Sequence, residues 1–164
     1  MIADRDIETA AQVLAKCAAN DPWFPKGGHA IVQAWAEVFA ESKLSREDLL
    51  AGVARAYRTE ETGYRPLPAS IVKHARAAYF EALRDLPEEE RERMDHVNHA
   101  LQDMGFAPPA AHRFARRIAL GRRPEVGLTE DEKVELRRRL AERAAIEEAP
   151  RRAVVVSPNF GKRA

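Results

Sequence analysis

Between its prolines and glycines the chain repeats one pattern: apolar residues three and four apart on a background of alanine, arginine, leucine and glutamate. That spacing has the helical period, and those four residues are strong helix formers, whereas the β-branched residues that favour strands are thin. The pattern predicts an all-α protein. Of 164 residues 30 are alanine and only 7% are aromatic, so the core has to come from close helix contacts around a few large side chains.

The first helix is expected over about residues 6–19, with Ile7, Ala10, Ala11, Leu14 and Ala18 on one stripe. Asn20-Asp21-Pro22 ends it, because the residue before a proline is pushed out of the helical region. A turn carrying Trp23 and Phe24 follows, closed by Gly27-Gly28. The second helix, residues 29–41, places Ile31, Trp35, Val38 and Phe39 at the spacing of a buried face. Ser45 with Asp48 forms a capping-box pattern, opening a third helix in which Leu49, Leu50, Val53 and Tyr57 share a face. Residues 59–67 form a polar loop. Pro68 suits the first turn of a fourth helix, which runs to about Arg84 on Ile71, Ala75, Ala78, Tyr79 and Leu83.

Charge then changes character. Residues 1–84 have net charge 0, residues 85–105 net −5, residues 106–123 net +5, residues 124–149 net −3 and residues 150–164 net +4, which together give the chain its +1. A boundary is placed near Asp85-Leu86-Pro87. The expected organisation is a four-helix N-terminal domain (1–84), a charged C-terminal region of two or three helices (85–149) and a flexible basic tail (150–164). Gly105 and Gly121 mark helix ends, and Thr129 with Glu132 makes a second capping box. The last helix has only Val134, Leu136, Leu140 and Ile146 as large apolar residues, so it is either docked on a narrow stripe or exposed.

Whole classes of chemistry find no support. The four serines and four threonines include none in a Gly-x-Ser-x-Gly turn. Cys17 is the single cysteine and falls in an apolar helix, where a thiol behaves as a small hydrophobe. No phosphate-cradling loop is present. His96 and His99 lie three apart beside Asp95 and Asp103, a spacing that puts both imidazoles on one helix face, but nothing completes a metal site and none is expected. The chain is read as non-enzymatic, without cofactor or metal. It has no apolar run long enough to span a membrane, and the start MIADRDIETA lacks the basic-then-apolar order of a signal peptide, so the cytoplasm is its expected location.

Two surfaces stand out as sites of contact. Arg113, Arg116, Arg117, Arg122 and Arg123 form a concentrated basic patch without a local acid, suited to phosphates. The helix–turn–helix order around Gly105 loosely matches a DNA-reading arrangement. Trp23 and Phe24, set between prolines, would serve either as an exposed aromatic anchor for a partner or as a lid folded onto the helical core. In the tail, Val154-Val155-Val156 could add to a partner as a strand.

One further pattern joins these pieces. Residues 18–24 (Ala18-Ala19-Asn20-Asp21-Pro22-Trp23-Phe24) precede Trp35 and Phe39. Leu50, Gly52, Val53 and Tyr57 follow, and Pro66-Leu67-Pro68-Ala69-Ser70-Ile71 closes the set. In this order the stretch 7–83 resembles the N-terminal helical domain of phage-encoded loader and inhibitor proteins of the replicative helicase. Ala69 and Ser70 depart from that family's usual threonine and acid, and the helices after residue 85 have no counterpart in it. The resemblance implies an adaptor that binds the hexameric helicase, holds it inactive and passes it to an initiator. The alternatives are a small DNA-binding regulator using residues 106–123, or a phage host-takeover protein acting on another partner.

Overall fold

The structure, a computed structural model, describes residues 2–122 and 127–148. Among the described residues there are seven α-helices and no strand. They are α1 (Asp4–Asn20), α2 (His29–Ser42), α3 (Arg46–Thr59), α4 (Pro68–Arg84), α5 (Glu88–Asp103), α6 (Pro108–Ala119) and α7 (Glu130–Glu148). No helix among them is long and apolar enough to cross a membrane.

Local chemistry sets the boundaries. Pro22 forces Asp21 into an extended conformation (φ −131°, ψ 105°), and α1 stops there. At the start of α3 the Ser45 hydroxyl accepts the Asp48 N–H, and the Asp48 carboxylate takes the Ser45 N–H in return. Thr129 and Glu132 make the same reciprocal pair before α7, with bonds of 3.2 and 2.7 Å. Pro68 occupies the first turn of α4. Both α5 and α6 end in a Schellman motif on a glycine with positive φ, Gly105 at 95° and Gly121 at 65°. In each, the residue after the glycine bonds back five residues, Phe106 to Leu101 and Arg122 to Arg117. The second of these turns aims Arg122 away from its own helix.

The buried side chains fall into two clusters. The first takes Val13, Leu14 and Cys17 from α1, Trp35, Ala36 and Phe39 from α2, Leu49 and Val53 from α3, Ile71 and Ala75 from α4, and Phe24 from the turn. The second joins Val97, Ala100 and Leu101 of α5 to Ala111 and Ala115 of α6 and Leu136 of α7, with Leu128 beneath. Three stripes differ from those expected. On α1 the buried face is Thr9, Ala10, Val13, Leu14 and Cys17, with Ala11 and Ala18 exposed, because the residues three and four apart from Ala10 and Leu14 meet the core on the Val13 and Cys17 side. On α2 the buried face is Trp35, Ala36 and Phe39, with Ile31 exposed, because the T-shaped pairs Phe24–Trp35 and Trp35–Phe39 set the rotation of the helix. On α4 only Ile71, His74 and Ala75 are buried, and Ala78, Tyr79 and Leu83 lie beyond the first cluster at intermediate exposure. The last helix is docked on a narrow stripe: Leu136 is buried and Leu140 partly so, while Val134 and Ile146 face solvent.

The tightest approach is between α3 and α4. A Cβ added at Gly52 would lie 2.7 Å from the Ala75 backbone nitrogen and 2.8 Å from both the Ala75 Cβ and the Ile71 carbonyl. Helix axes this close require a residue without a side chain.

Polar contacts bridge the two clusters. Arg122 Nε donates to Asp48 Oδ1 at 3.0 Å, and Arg117 Nη2 donates to the Lys43 carbonyl at 3.0 Å. The Asp48 side chain is 2% exposed. Arg91 adds a bond to the Arg84 carbonyl across the α4–α5 turn.

Gly52→Ala removes a helix-weakening residue, which in an open helix stabilises by about 1 kcal/mol. Here the overlap with backbone atoms wins, and chemical denaturation should register a net loss of about 1–3 kcal/mol. Arg122→Gln leaves the buried Asp48 carboxylate short of its cationic partner. The expected cost is about 3 kcal/mol, at the low end for buried pairs because Arg122 reaches solvent, with limited proteolysis accelerating around residues 85–87.

Candidate functional site

The turn after α1 is built to hold one aromatic ring in and one out. Asp21 Oδ1 accepts the Trp23 N–H at 2.9 Å, and the Asp21 carbonyl accepts the Phe24 N–H at 2.9 Å. From across the fold Arg65 Nε donates to Asp21 Oδ2 at 2.7 Å. So fixed, Phe24 enters the core against Trp35 at a ring separation of 6.2 Å, while Trp23 stands 81% exposed. The two residues expected to act together therefore divide. Phe24 is a core residue, and only Trp23 presents a surface that a partner could touch.

Trp23 borders an open cleft of about 360 Å³ between the end of α1 and the end of α3. Its other walls include Tyr57, Glu60, Glu61, Tyr64 and Arg65. The Tyr57 hydroxyl donates to the Cys17 carbonyl at 3.3 Å, and burial pushes its phenol up to about 12. Tyr64 hydrogen-bonds Ser70 at the start of α4. These residues lie some forty positions from Trp23. No local sequence signal could have joined them to it, because the α1–α3 packing brings them together.

Glu60 is held from behind. His74, 5% exposed, places Nε2 2.7 Å from Glu60 Oε1 and Nδ1 2.9 Å from Arg55 Nη1. A guanidinium can only donate, so Nδ1 accepts and the Nε2 proton faces Glu60. Arg55 also grips Glu81, with a shortest contact of 2.8 Å, and this pairing holds the Glu81 carboxyl below the usual range. With both ring nitrogens engaged, His74 has none free to act as a base. Cys17 is fully buried, and desolvation pushes its thiol up to about 11, far from a nucleophilic thiolate at neutral pH.

The arginine patch is not one surface. Arg122 and Arg117 turn inward to Asp48 and to the Lys43 carbonyl. Arg113 is exposed, Arg116 is partly so, and Arg123 lies outside the described residues. The acid absent from the local sequence comes from α3, 74 positions away. His99 is exposed, and His96 lies 3.3 Å from Glu147 of α7. Among the described residues no group of three or more His, Cys, Asp or Glu side chains is placed to hold a metal ion. Val154-Val155-Val156 and the rest of the tail lie outside the described residues.

No family model, no curated protein and no solved structure matches the chain.

The Asp21 carboxyl is held below its usual value first by the Arg65 hydrogen bond and then by the Trp23 N–H. Its folded value is thus lower than its unfolded one, so the turn is fully supported above the unfolded value of about 3.9 and loses that support as pH falls through the folded value. Carboxyl NMR should find Asp21 titrating below ordinary aspartates, and Arg65→Ala should return it towards them.

Proposed function

We propose that the protein is a non-enzymatic accessory of phage or prophage DNA replication that docks on a replicative helicase, as a loader or inhibitor, through the Trp23 corner. In this reading α1–α4 form the docking domain, α5–α7 are an appended C-terminal portion, and the protein acts in the cytoplasm. One observation carries the proposal: a tryptophan held outward by backbone hydrogen bonds at the mouth of a cleft. A large ring on a backbone fixed in this way costs little backbone entropy on association, and tryptophans at the centre of an interface dominate its energy. The resemblance of residues 7–83 supplies the identity of the partner. The engaged nitrogens of His74 and the protonated Cys17 thiol favour an adaptor over an enzyme.

A DNA-binding regulator built on residues 106–123 is less well supported, since Arg117 and Arg122 are engaged within the molecule. The test is association with the immobilised hexameric helicase of the phage or host. Binding at micromolar concentration or tighter is expected. Trp23→Ala should weaken it at least about 30-fold, the effect of a residue contributing about 2 kcal/mol, without altering the melting temperature. No association at micromolar concentration, with helicase loading unchanged, overturns the reading.

A further inference from the structure

The outer face of α4 has no part in the Trp23 corner, yet it has a composition of its own. Lys73, Arg76, Phe80 and Arg84 are all exposed, Phe80 by 57%. At about 100° per residue these four fall within an arc of about 80°, opposite the buried Ile71 and Ala75, and span about 16 Å along the axis. The ion pairs of α4 run from Glu81 to Arg55 and from Arg84 to Asp85, and His74 hydrogen-bonds Glu60. Lys73 and Arg76 are therefore left without one among the described residues. Glu81, the acid beside Phe80 in sequence, is already bound by Arg55. The face is thus a line of cations interrupted by one aromatic ring, more than half exposed and in T-shaped contact with Tyr79 at a centroid separation of 5.4 Å.

We propose that this face binds single-stranded DNA, with Lys73, Arg76 and Arg84 against phosphates and Phe80 stacked on a base. Cations alone would serve any polyanion. Phe80 narrows the choice, because the negative π-face of a phenyl ring gains nothing from a carboxylate, and it cannot stack on bases already stacked inside a duplex. Unstacked bases present π-faces that an exposed ring can cover whatever the sequence. The site is independent of the helicase reading, since it shares no residue with the Trp23 cleft.

The test uses the full chain and a short fluorescein-labelled oligothymidine, followed by anisotropy across a salt series. The wild type should bind at low salt and weaken steeply as salt rises. Replacing Lys73, Arg76 and Arg84 together by glutamine should reduce the salt slope by about 2, at about 0.7 for each phosphate no longer neutralised. Phe80→Ala should weaken binding about 5- to 150-fold, whereas Phe80→Trp should retain it and show quenching of the new indole. Arg113→Gln with Arg116→Gln, and separately Trp23→Ala, should bind like the wild type. All these positions are surface positions, and circular dichroism confirms folding. The proposal falls if the wild type does not bind, if the triple variant or Phe80→Ala binds unchanged, if duplex DNA or polyglutamate binds as tightly, or if the Arg113 and Arg116 changes alone abolish binding.

Discussion

The close crossing of α3 and α4 governs the rest of the molecule. With no side chain at Gly52, the backbone of α3 lies against Ala75 and Ile71, near enough for His74 and Arg55 to meet between the helices. That contact continues to Glu60 at the end of α3 and to Glu81 on α4, forming a four-residue polar chain in which each link joins a donor to an acceptor. Such a chain is stabilising only when complete, and its completeness depends on the distance that Gly52 sets. The position of Glu60 in the cleft and the outward facing of Lys73, Arg76 and Phe80 are consequences of the same rotation of α4. Pushing the helices apart would leave His74 buried with its partners out of reach.

The second constraint is a carboxylate with two roles. Asp48 closes the capping box of α3 and also receives Arg122. Capping fixes its rotamer independently of the arginine, so α3 itself meets much of the entropy of ordering it. Arg122 is aimed in turn by the Schellman turn on Gly121. A preordered acid thus meets a preordered base, and the α5–α7 helices gain a polar attachment to α3 beside their own apolar cluster. Arg117 reinforces it through the Lys43 carbonyl, at the left-handed residue that ends α2.

These constraints explain what is legible in the sequence. Local chemistry can be read directly: the Ser45–Asp48 and Thr129–Glu132 boxes, the stop at Asp21-Pro22 and the glycine ends of α5 and α6 each depend on residues within five positions. The all-α class follows from the same short-range periodicity. Properties set by partners distant in the chain cannot be read. Trp23 and Phe24 look equivalent as a dipeptide, and only the position of Trp35 decides which of them turns inward. The arginines of residues 106–123 lack an acid within their own window, and their acid lies on α3. On α4 the buried stripe is partly legible, and its complement is easily passed over. Lys73, Arg76, Phe80 and Arg84 nevertheless repeat at helical spacing as plainly as Ile71 and Ala75 do.

A chain of net charge +1 can still present strongly polarised surfaces, because its neutrality is distributed by position. The α3–α4 pair shows how. Within it, Arg55 pairs with Glu81 and His74 hydrogen-bonds Glu60, so both carboxylates are engaged away from the outer face of α4. With the acids so engaged, Lys73 and Arg76 face solvent without an ion-pair partner among the described residues, while Glu61 and the aromatic residues remain at the opposite end, around Trp23. Moving the acids outward would cancel the cationic line. Moving the arginine outward would leave two partly buried carboxylates beside a histidine. The Arg55–Glu81 pair and the His74–Glu60 hydrogen bond therefore stabilise the helix pair and also keep its two outer surfaces chemically distinct, which lets a small helical scaffold offer one aromatic corner and one cationic face without a shared residue.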